Sequence, residues 1–88
     1  MAHAWRIPSR VTFPWGYVVR VRQVPPSHPE LEGSTGVWDV ETRTIYLDKT
    51  VPARHRRWKF VHELDHARAD WFEHHVLPSG KVEPRPQP

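Results

Sequence analysis

The sequence contains no cysteine, few glycines and no long apolar run. Without cysteine, neither disulfides nor thiolate zinc sites can hold the 88 residues together. No apolar segment approaches the roughly 20 residues that cross a membrane, and the start MAHAWRIPSRVTF lacks the apolar core of a signal peptide. These absences favour a cytoplasmic protein without a membrane partner. A small core without disulfides often depends on a metal or on oligomerisation, so a homo-oligomer is one option.

The chain is rich in aromatic residues and in arginine. Five tryptophans, three phenylalanines and two tyrosines supply large side chains for a small core. The formal net charge is +3, and the densest basic cluster is ARHRRWK at 53–59. Arg54, Arg56, Arg57 and Arg68 can contact nucleic-acid phosphates. The favoured interpretation is the solvated first turn of a helix.

Hydrophobic patterning predicts three strands. Residues 1–15 have no clean period, which predicts an irregular arm. The segment YVVRVRQV (17–24) is dense in β-branched residues and predicts a strand with Arg20 and Arg22 on one solvated face. Prolines and glycines at 25–36 predict a loop. The segments VWDV and TIYLD, separated by ETR, predict a hairpin of two short strands.

One long helix is predicted over about residues 53–76. Thr50 is the expected N-cap, and no proline or glycine interrupts the chain from 53 to 77. The apolar stripe that should face the sheet follows the helical period. It consists of Phe60, Leu64, Ala67 and Trp71 and is expected to be widened by Trp58, Val61 and Phe72.

The predicted architecture is α+β. An antiparallel sheet of about three strands packs on one long helix, forming a single domain over residues 1–80. The proline-rich segment 81–88 is expected to be a flexible tail.

The segment KFVHELDHARAD (59–70) contains the pattern H-E-x-x-H at His62, Glu63 and His66. On a helix, two histidines four residues apart project from one face and can reach a single zinc at ~2.0–2.1 Å. Glu63 lies one step around the helix, where it can accept a proton from a zinc-bound water and later donate it to a leaving amine. A chance match has a likelihood of roughly a few per cent in a chain of this composition. The pattern therefore predicts a zinc site.

The chain from Gly36 to Asp70 resembles the zincin metallopeptidases. Within GVWDVETRTIYLDKTVPARHRRWKFVHELDH it is most similar to gluzincins of the ImmA/IrrE-like and minigluzincin groups. The resemblance implies a zincin-like fold, a Zn²⁺ cofactor, a protein or peptide substrate, and often a phage or mobile-element setting. It implies His62 and His66 as zinc ligands and Glu63 as general acid/base. Asp70 matches an aspartate of many gluzincins and is expected to accept from the free ring N–H of His66.

The resemblance also suggests a substrate-binding edge strand. In zincins, an edge strand beside the active-site helix binds the substrate backbone in extended form. Residues 44–48 are the candidates, although ordinary hairpin pairing is slightly favoured for them.

The third zinc ligand is not evident. Gluzincins take a glutamate from a later helix, and no such helix is predicted here. Glu73 lies eleven residues past His62, or ~16 Å along a straight helix. Glu83 is in the predicted tail, and His74 and His75 are interpreted as favourable charges at the helix end. The third ligand can come from the tail, from another subunit or from a further segment.

The sequence as a whole predicts a zinc metalloendopeptidase. Tyr46 or one of His74 and His75 is expected to help hold the tetrahedral intermediate. The alternative is a small basic module that binds nucleic acid or protein, in which any zinc is structural.

Overall fold

The computed structural model describes residues 5–76, so the predicted tail at 81–88 lies outside the described residues. Four strands and one long helix follow one another along the chain, with a short 3₁₀-helix between the second and third strands. In order they are β1 (Arg10–Phe13), β2 (Tyr17–Val24), the 3₁₀-helix (Pro29–Leu31), β3 (Gly36–Asp39), β4 (Thr44–Asp48) and α1 (Ala53–His75). The α+β class and the single long helix are confirmed.

The four strands form one mixed sheet in the order β1-β2-β4-β3. β1 pairs with β2 and β3 pairs with β4 in antiparallel fashion, which confirms the predicted hairpin. β2 and β4 are parallel neighbours, with Val21 opposite Ile45. The prediction of an antiparallel sheet was therefore wrong. After β2, the chain passes the position of β4 and forms β3 at the edge of the sheet. β4 then returns between β3 and β2.

The fourth strand, β1, forms within the segment that was expected to be an irregular arm. Trp15 and Gly16 adopt left-handed backbone conformations, with φ of 65° and 74°. The turn containing them returns the chain, so that Phe13 lies opposite Tyr17. Left-handed backbone is unfavourable for a bulky residue, and the Trp15 indole stacks on Trp71 at 5.9 Å between ring centroids. Pro14 and Gly16 are local turn signals, whereas the left-handed conformation of Trp15 is accompanied by this tertiary contact.

The two faces of the sheet are covered differently. The face toward α1 carries the main core, in which five strand residues pack against Phe60 and Ala67 of the helix. Those strand residues are Tyr17, Val19, Val21, Ile45 and Leu47. On the other face, Val24 and Tyr46 pack under Leu31 of the 3₁₀-helix. Arg20 and Arg22 are exposed on this second face, as predicted.

Helix α1 begins without the expected cap. Pro52 occupies the N-cap position, and no side chain caps the helix. The Thr50 hydroxyl instead donates to Asp48 Oδ1 at 2.6 Å, as does the Thr50 N–H at 2.8 Å. These two hydrogen bonds hold the pKa of Asp48 below its usual range. The Thr50 prediction was wrong because the side chain is used in the preceding turn.

The core-facing stripe of α1 is narrower than expected. Phe60 and Ala67 are buried and Leu64 and Trp71 are half-buried, as predicted. Trp58, Val61 and Phe72 are exposed, so the expectation that they widen the stripe was wrong. At 100° per residue they lie well around the helix from the stripe. Among residues 5–76, no helix combines the length and apolarity needed to cross a membrane.

The difference between the buried and exposed sides of α1 can be tested with the same substitution at two positions. Phe60 is 4% exposed and Phe72 is 46% exposed. We expect Phe60→Ala to lower the free energy of unfolding by about 3–5 kcal/mol because it leaves a cavity. Phe72→Ala should change it by less than about 1 kcal/mol. Both changes raise helix propensity equally. Urea unfolding followed by circular dichroism measures both, and equal losses would contradict the packing described.

Candidate metal centre

His62 and His66 lie together on the solvent side of α1. Both are exposed, because Phe60 and Ala67 direct the opposite side of the helix into the core. Their ring centroids are 5.2 Å apart, with the rings nearly perpendicular. Two imidazoles bound to one tetrahedral zinc at ~2.0–2.1 Å have centroids about 5 Å apart. The indole of Trp58 stacks on His62 at 5.5 Å. The predicted pair is therefore brought together with a spacing that suits one metal.

Glu63 occupies a different environment from the histidines that flank it. It is 6% exposed and lies on the side of α1 that packs against the sheet. Lys59 Nζ lies 3.6 Å from Glu63 Oε2. The Lys59 stem rests on β3, where a Cβ on Gly36 would collide with it. The carboxylate thus borders the core, beside a cation rather than in open solvent.

Lys59 was not predicted as part of the site. Its i, i+4 spacing to Glu63 is a sequence signal that could have identified the pair. The burial of Glu63 carries no comparable local signal, because it depends on how the helix lies on the sheet.

The predicted hydrogen bond from His66 to Asp70 is not found among residues 5–76, and the Asp70 carboxylate instead contacts Tyr17 and His74. The Tyr17 hydroxyl donates to Asp70 Oδ2 at 2.5 Å. His74 Nδ1 lies 3.2 Å from Asp70 Oδ1. Asp70 therefore links the end of α1 to the first residue of β2. Sequence analysis missed Tyr17, which is 53 residues away along the chain and becomes a neighbour only in the folded state.

Three of the third-ligand candidates, Glu73, His74 and His75, lie further along α1, about two turns or more past His66. Asp70, Glu73 and His74 form a group of their own, in which one ligand atom from each residue lies within 4.8 Å of the others. It is the only such group of three or more metal-binding side chains among residues 5–76. His75 packs against the rings of Tyr17 and Trp15. Glu83 lies outside the described residues.

Two further sequence hypotheses do not fit the fold. β4 is an interior strand between β2 and β3, so residues 44–48 cannot serve as an open edge. Tyr46 packs with Leu31 and stacks on His28, on the sheet face that is turned away from α1. It therefore cannot help to hold an intermediate beside His62 and His66. Of the two edge strands, β3 contacts α1 more extensively, and β1 contacts it through Phe13 and Trp71.

The four arginines predicted to contact phosphates do not share one environment, although Arg56 and Arg57 line the same small cavity near the start of α1. Arg68 Nη2 pairs with Asp65 Oδ1 at 2.7 Å. Arg56 donates to Gln23 Oε1 and to the Val51 carbonyl. Arg54 is exposed near the start of α1. They do not form one continuous basic face.

Comparison of the chain with protein-family models, with curated proteins and with solved structures found no match.

The link between Tyr17 and Asp70 can be tested by titration. Burial, reinforced by the hydrogen bond to Asp70, raises the pKa of Tyr17 above its ordinary value. Because the folded-state pKa exceeds the unfolded value of about 10, this hydroxyl contributes stability that is complete below about pH 10. That stability is lost as the pH rises through the folded-state pKa.

In a Tyr46→Phe background, we expect ultraviolet titration to show Tyr17 ionising above the ordinary range for a phenol. Asp70→Asn removes the negative charge at nearly constant size and should lower the pKa of Tyr17, though not to its ordinary value, since burial remains. A Tyr17 that titrates normally in the folded protein would contradict the contact.

Proposed function

We propose that this protein is a zinc-dependent peptidase with a zincin-like arrangement, in which His62 and His66 hold the metal and Glu63 transfers the proton. The observation that carries the proposal is the pair of exposed imidazoles with ring centroids 5.2 Å apart. They flank a glutamate that is not needed as a ligand and is held at the sheet side of the same helix. Packing does not require either histidine, since both are exposed.

The donor set fits zinc in type and in spacing. Neutral imidazoles are common zinc ligands, and catalytic zinc sites use three protein ligands and leave one position open. His62 and His66 supply two of the three. A third ligand within 4.8 Å of both does not occur among residues 5–76. In this proposal it comes from the rest of the chain, where Glu83 is the remaining glutamate candidate, or from a partner chain.

The chemistry divides between the metal and Glu63. Zinc, when bound, polarises a carbonyl group and lowers the pKa of a bound water to about 7. Glu63 accepts a proton from the attacking water on a carboxylate oxygen and donates it to the nitrogen of the leaving amine. Lys59 lies 3.6 Å from Glu63 Oε2 and positions the carboxylate before the substrate binds. Glu63 must turn toward the histidine side of the helix to act.

The edge of the sheet beside α1 suits an extended peptide. β3 is an edge strand and packs against the helix, with Trp38 contributing to the core. Its outer backbone N–H and C=O groups can pair with a substrate strand by β-augmentation. This assigns to Gly36–Asp39 the role that was first considered for residues 44–48. The substrate class is therefore a protein or peptide that can bind in extended form.

Metal binding by the histidine pair is the first test. We expect the full chain to bind zinc in competition with a chromophoric chelator, and His62→Ala with His66→Ala to abolish that binding. The matched control is Glu73→Gln with His74→Ala, which disrupts the other ligand cluster and should leave the affinity unchanged. Zinc at a hundredfold excess over Kd should stabilise the wild type by about 2.7 kcal/mol. Zinc binding that is lost only in the control would place the metal at the second cluster.

Catalysis is tested through Glu63. We expect the zinc-loaded wild type to cleave members of a peptide library, with products identified by mass spectrometry. Glu63→Gln should retain zinc and the fold but lose cleavage, because an amide cannot accept the proton at neutral pH. Glu73→Gln makes the same change on the same helix and should cleave normally. Cleavage by Glu63→Gln at the wild-type rate would refute the assigned role.

A further inference from the structure

A small cavity lies where helix α1 begins. It has a volume of about 260 Å³ and is bordered by the segment before β1, by the end of β2 and by the first turn of the helix. The side chains that define it are Trp5, Arg6, Gln23, Arg56 and Arg57, with Ile7 and Ala53 completing the lining. None of the histidines of the candidate metal centre lines this cavity. It is therefore a separate feature of the molecule.

The cavity lining is positively charged, although Asp48, which is not part of the lining, interacts electrostatically with Arg56. Three arginines line it and no carboxylate does. Within residues 5–76, none of the three forms a salt bridge, whereas Arg68 and Lys59 do. Guanidinium groups gathered around one space repel one another unless an anion lies between them. The lining therefore has the charge complement of an anionic ligand.

Arg56 leaves one donor without a partner. Its Nη1 donates to Gln23 Oε1 at 2.9 Å and its Nη2 to the Val51 carbonyl at 3.0 Å. Its Nε is buried and has no hydrogen-bond partner among the described residues. An unmade hydrogen bond at a buried, charged donor lowers stability, and because Nε is closed to solvent it is not itself open to a ligand in the cavity. The two bonds that Arg56 does make hold its guanidinium in place at the cavity.

The start of α1 lies at the same place. Ala53, the first residue of α1, lines the cavity. No side chain caps the helix, and its first turn contains no acidic residue. Free N–H groups at a helix start favour an anion. This feature alone would not define a site, but here it coincides with the three arginines.

We propose that this cavity binds the phosphate group of a phosphorylated nucleoside, with the base resting on Trp5. Guanidinium groups bind phosphate through paired N–H···O hydrogen bonds. At about 260 Å³ the cavity is smaller than the roughly 300–1,000 Å³ typical of pockets for drug-sized ligands, so it suits the phosphate rather than the whole molecule. Trp5 is 49% exposed at the rim, and exposed aromatic rings stack on nucleobases. The ligand is either a free mononucleotide or one unit of a single strand.

The test titrates the isotopically labelled full chain with AMP, ribose 5-phosphate and adenosine and follows the changes by NMR. We expect AMP to shift the Trp5 indole and the backbone amides of residues 53–57. Ribose 5-phosphate should shift only the amides and bind more weakly, and adenosine should bind least. Absence of any shift at these positions with millimolar AMP would overturn the proposal. So would equal binding of AMP and adenosine, because the phosphate would then contribute nothing.

Two double variants separate the cavity from general charge. Arg6→Gln with Arg57→Gln should weaken AMP binding at least tenfold and leaves Arg56 with its structural hydrogen bonds. Arg10→Gln with Arg20→Gln removes the same charge from the opposite face of the sheet and should change affinity less than twofold. Unfolding curves of both variants check that the fold is retained. Equal weakening by the two pairs would show a nonspecific charge effect and overturn the proposal.

A short single-stranded oligonucleotide distinguishes the two sources of the ligand. If a strand is the natural ligand, it should bind more tightly than AMP, with the logarithm of its affinity falling with the logarithm of salt by about 0.7 per phosphate contacted. If a free nucleotide is the ligand, AMP should bind at least as tightly as the oligonucleotide. In both cases the Arg6, Arg57 double variant must lose the binding. Oligonucleotide binding that is unaffected in this variant would overturn the assignment of the cavity.

Discussion

The packing of helix α1 against the sheet determines which residues of the helix face solvent and which face the core. Phe60 and Ala67 are buried against the strand residues of the main core, and this contact fixes the rotation of the helix about its axis. His62 and His66 then face solvent, and Glu63 lies at the sheet side with Lys59. Rotating the helix by about 100° in one direction would turn His66 toward the sheet and expose Phe60. The candidate metal centre therefore depends on a hydrophobic contact that contains none of its ligands.

The parallel pairing of β2 and β4 brings the start of α1 to the end of β2. Parallel strands end at the same edge of a sheet, so the end of β2 and the turn before α1 lie close together. Lys49 N donates to the Val24 carbonyl at 2.9 Å across these two ends. The start of α1 is thus brought to Gln23, and the arginine-lined cavity forms there. In a purely antiparallel sheet these segments would have no reason to meet.

The two ends of α1 are held by different interactions. Near its start, Trp5 packs against Phe60 and Arg56 bonds to Gln23. Near its end, Asp70 accepts from Tyr17, and the Trp71 indole donates to the Pro14 carbonyl at 3.1 Å. Polar bonds at both ends supplement a small apolar core. The histidine pair lies between these anchors, where a rigid helix can keep two ligands in register.

Elements with local signals can be predicted from the sequence. The stripe from Phe60 to Trp71, the hairpin around residues 40–43 and the i, i+4 spacing of His62 and His66 depend on neighbours within one or two turns, and periodicity predicts them. The folded chain, by contrast, sets the pairing of Arg10–Phe13 with β2, the parallel pairing of β4 with β2 and the contact between Tyr17 and Asp70. It also sets the burial of Glu63 and the meeting of Arg6 with Arg56 and Arg57. These depend on residues tens of positions apart, and no local preference encodes which distant segment will lie beside them.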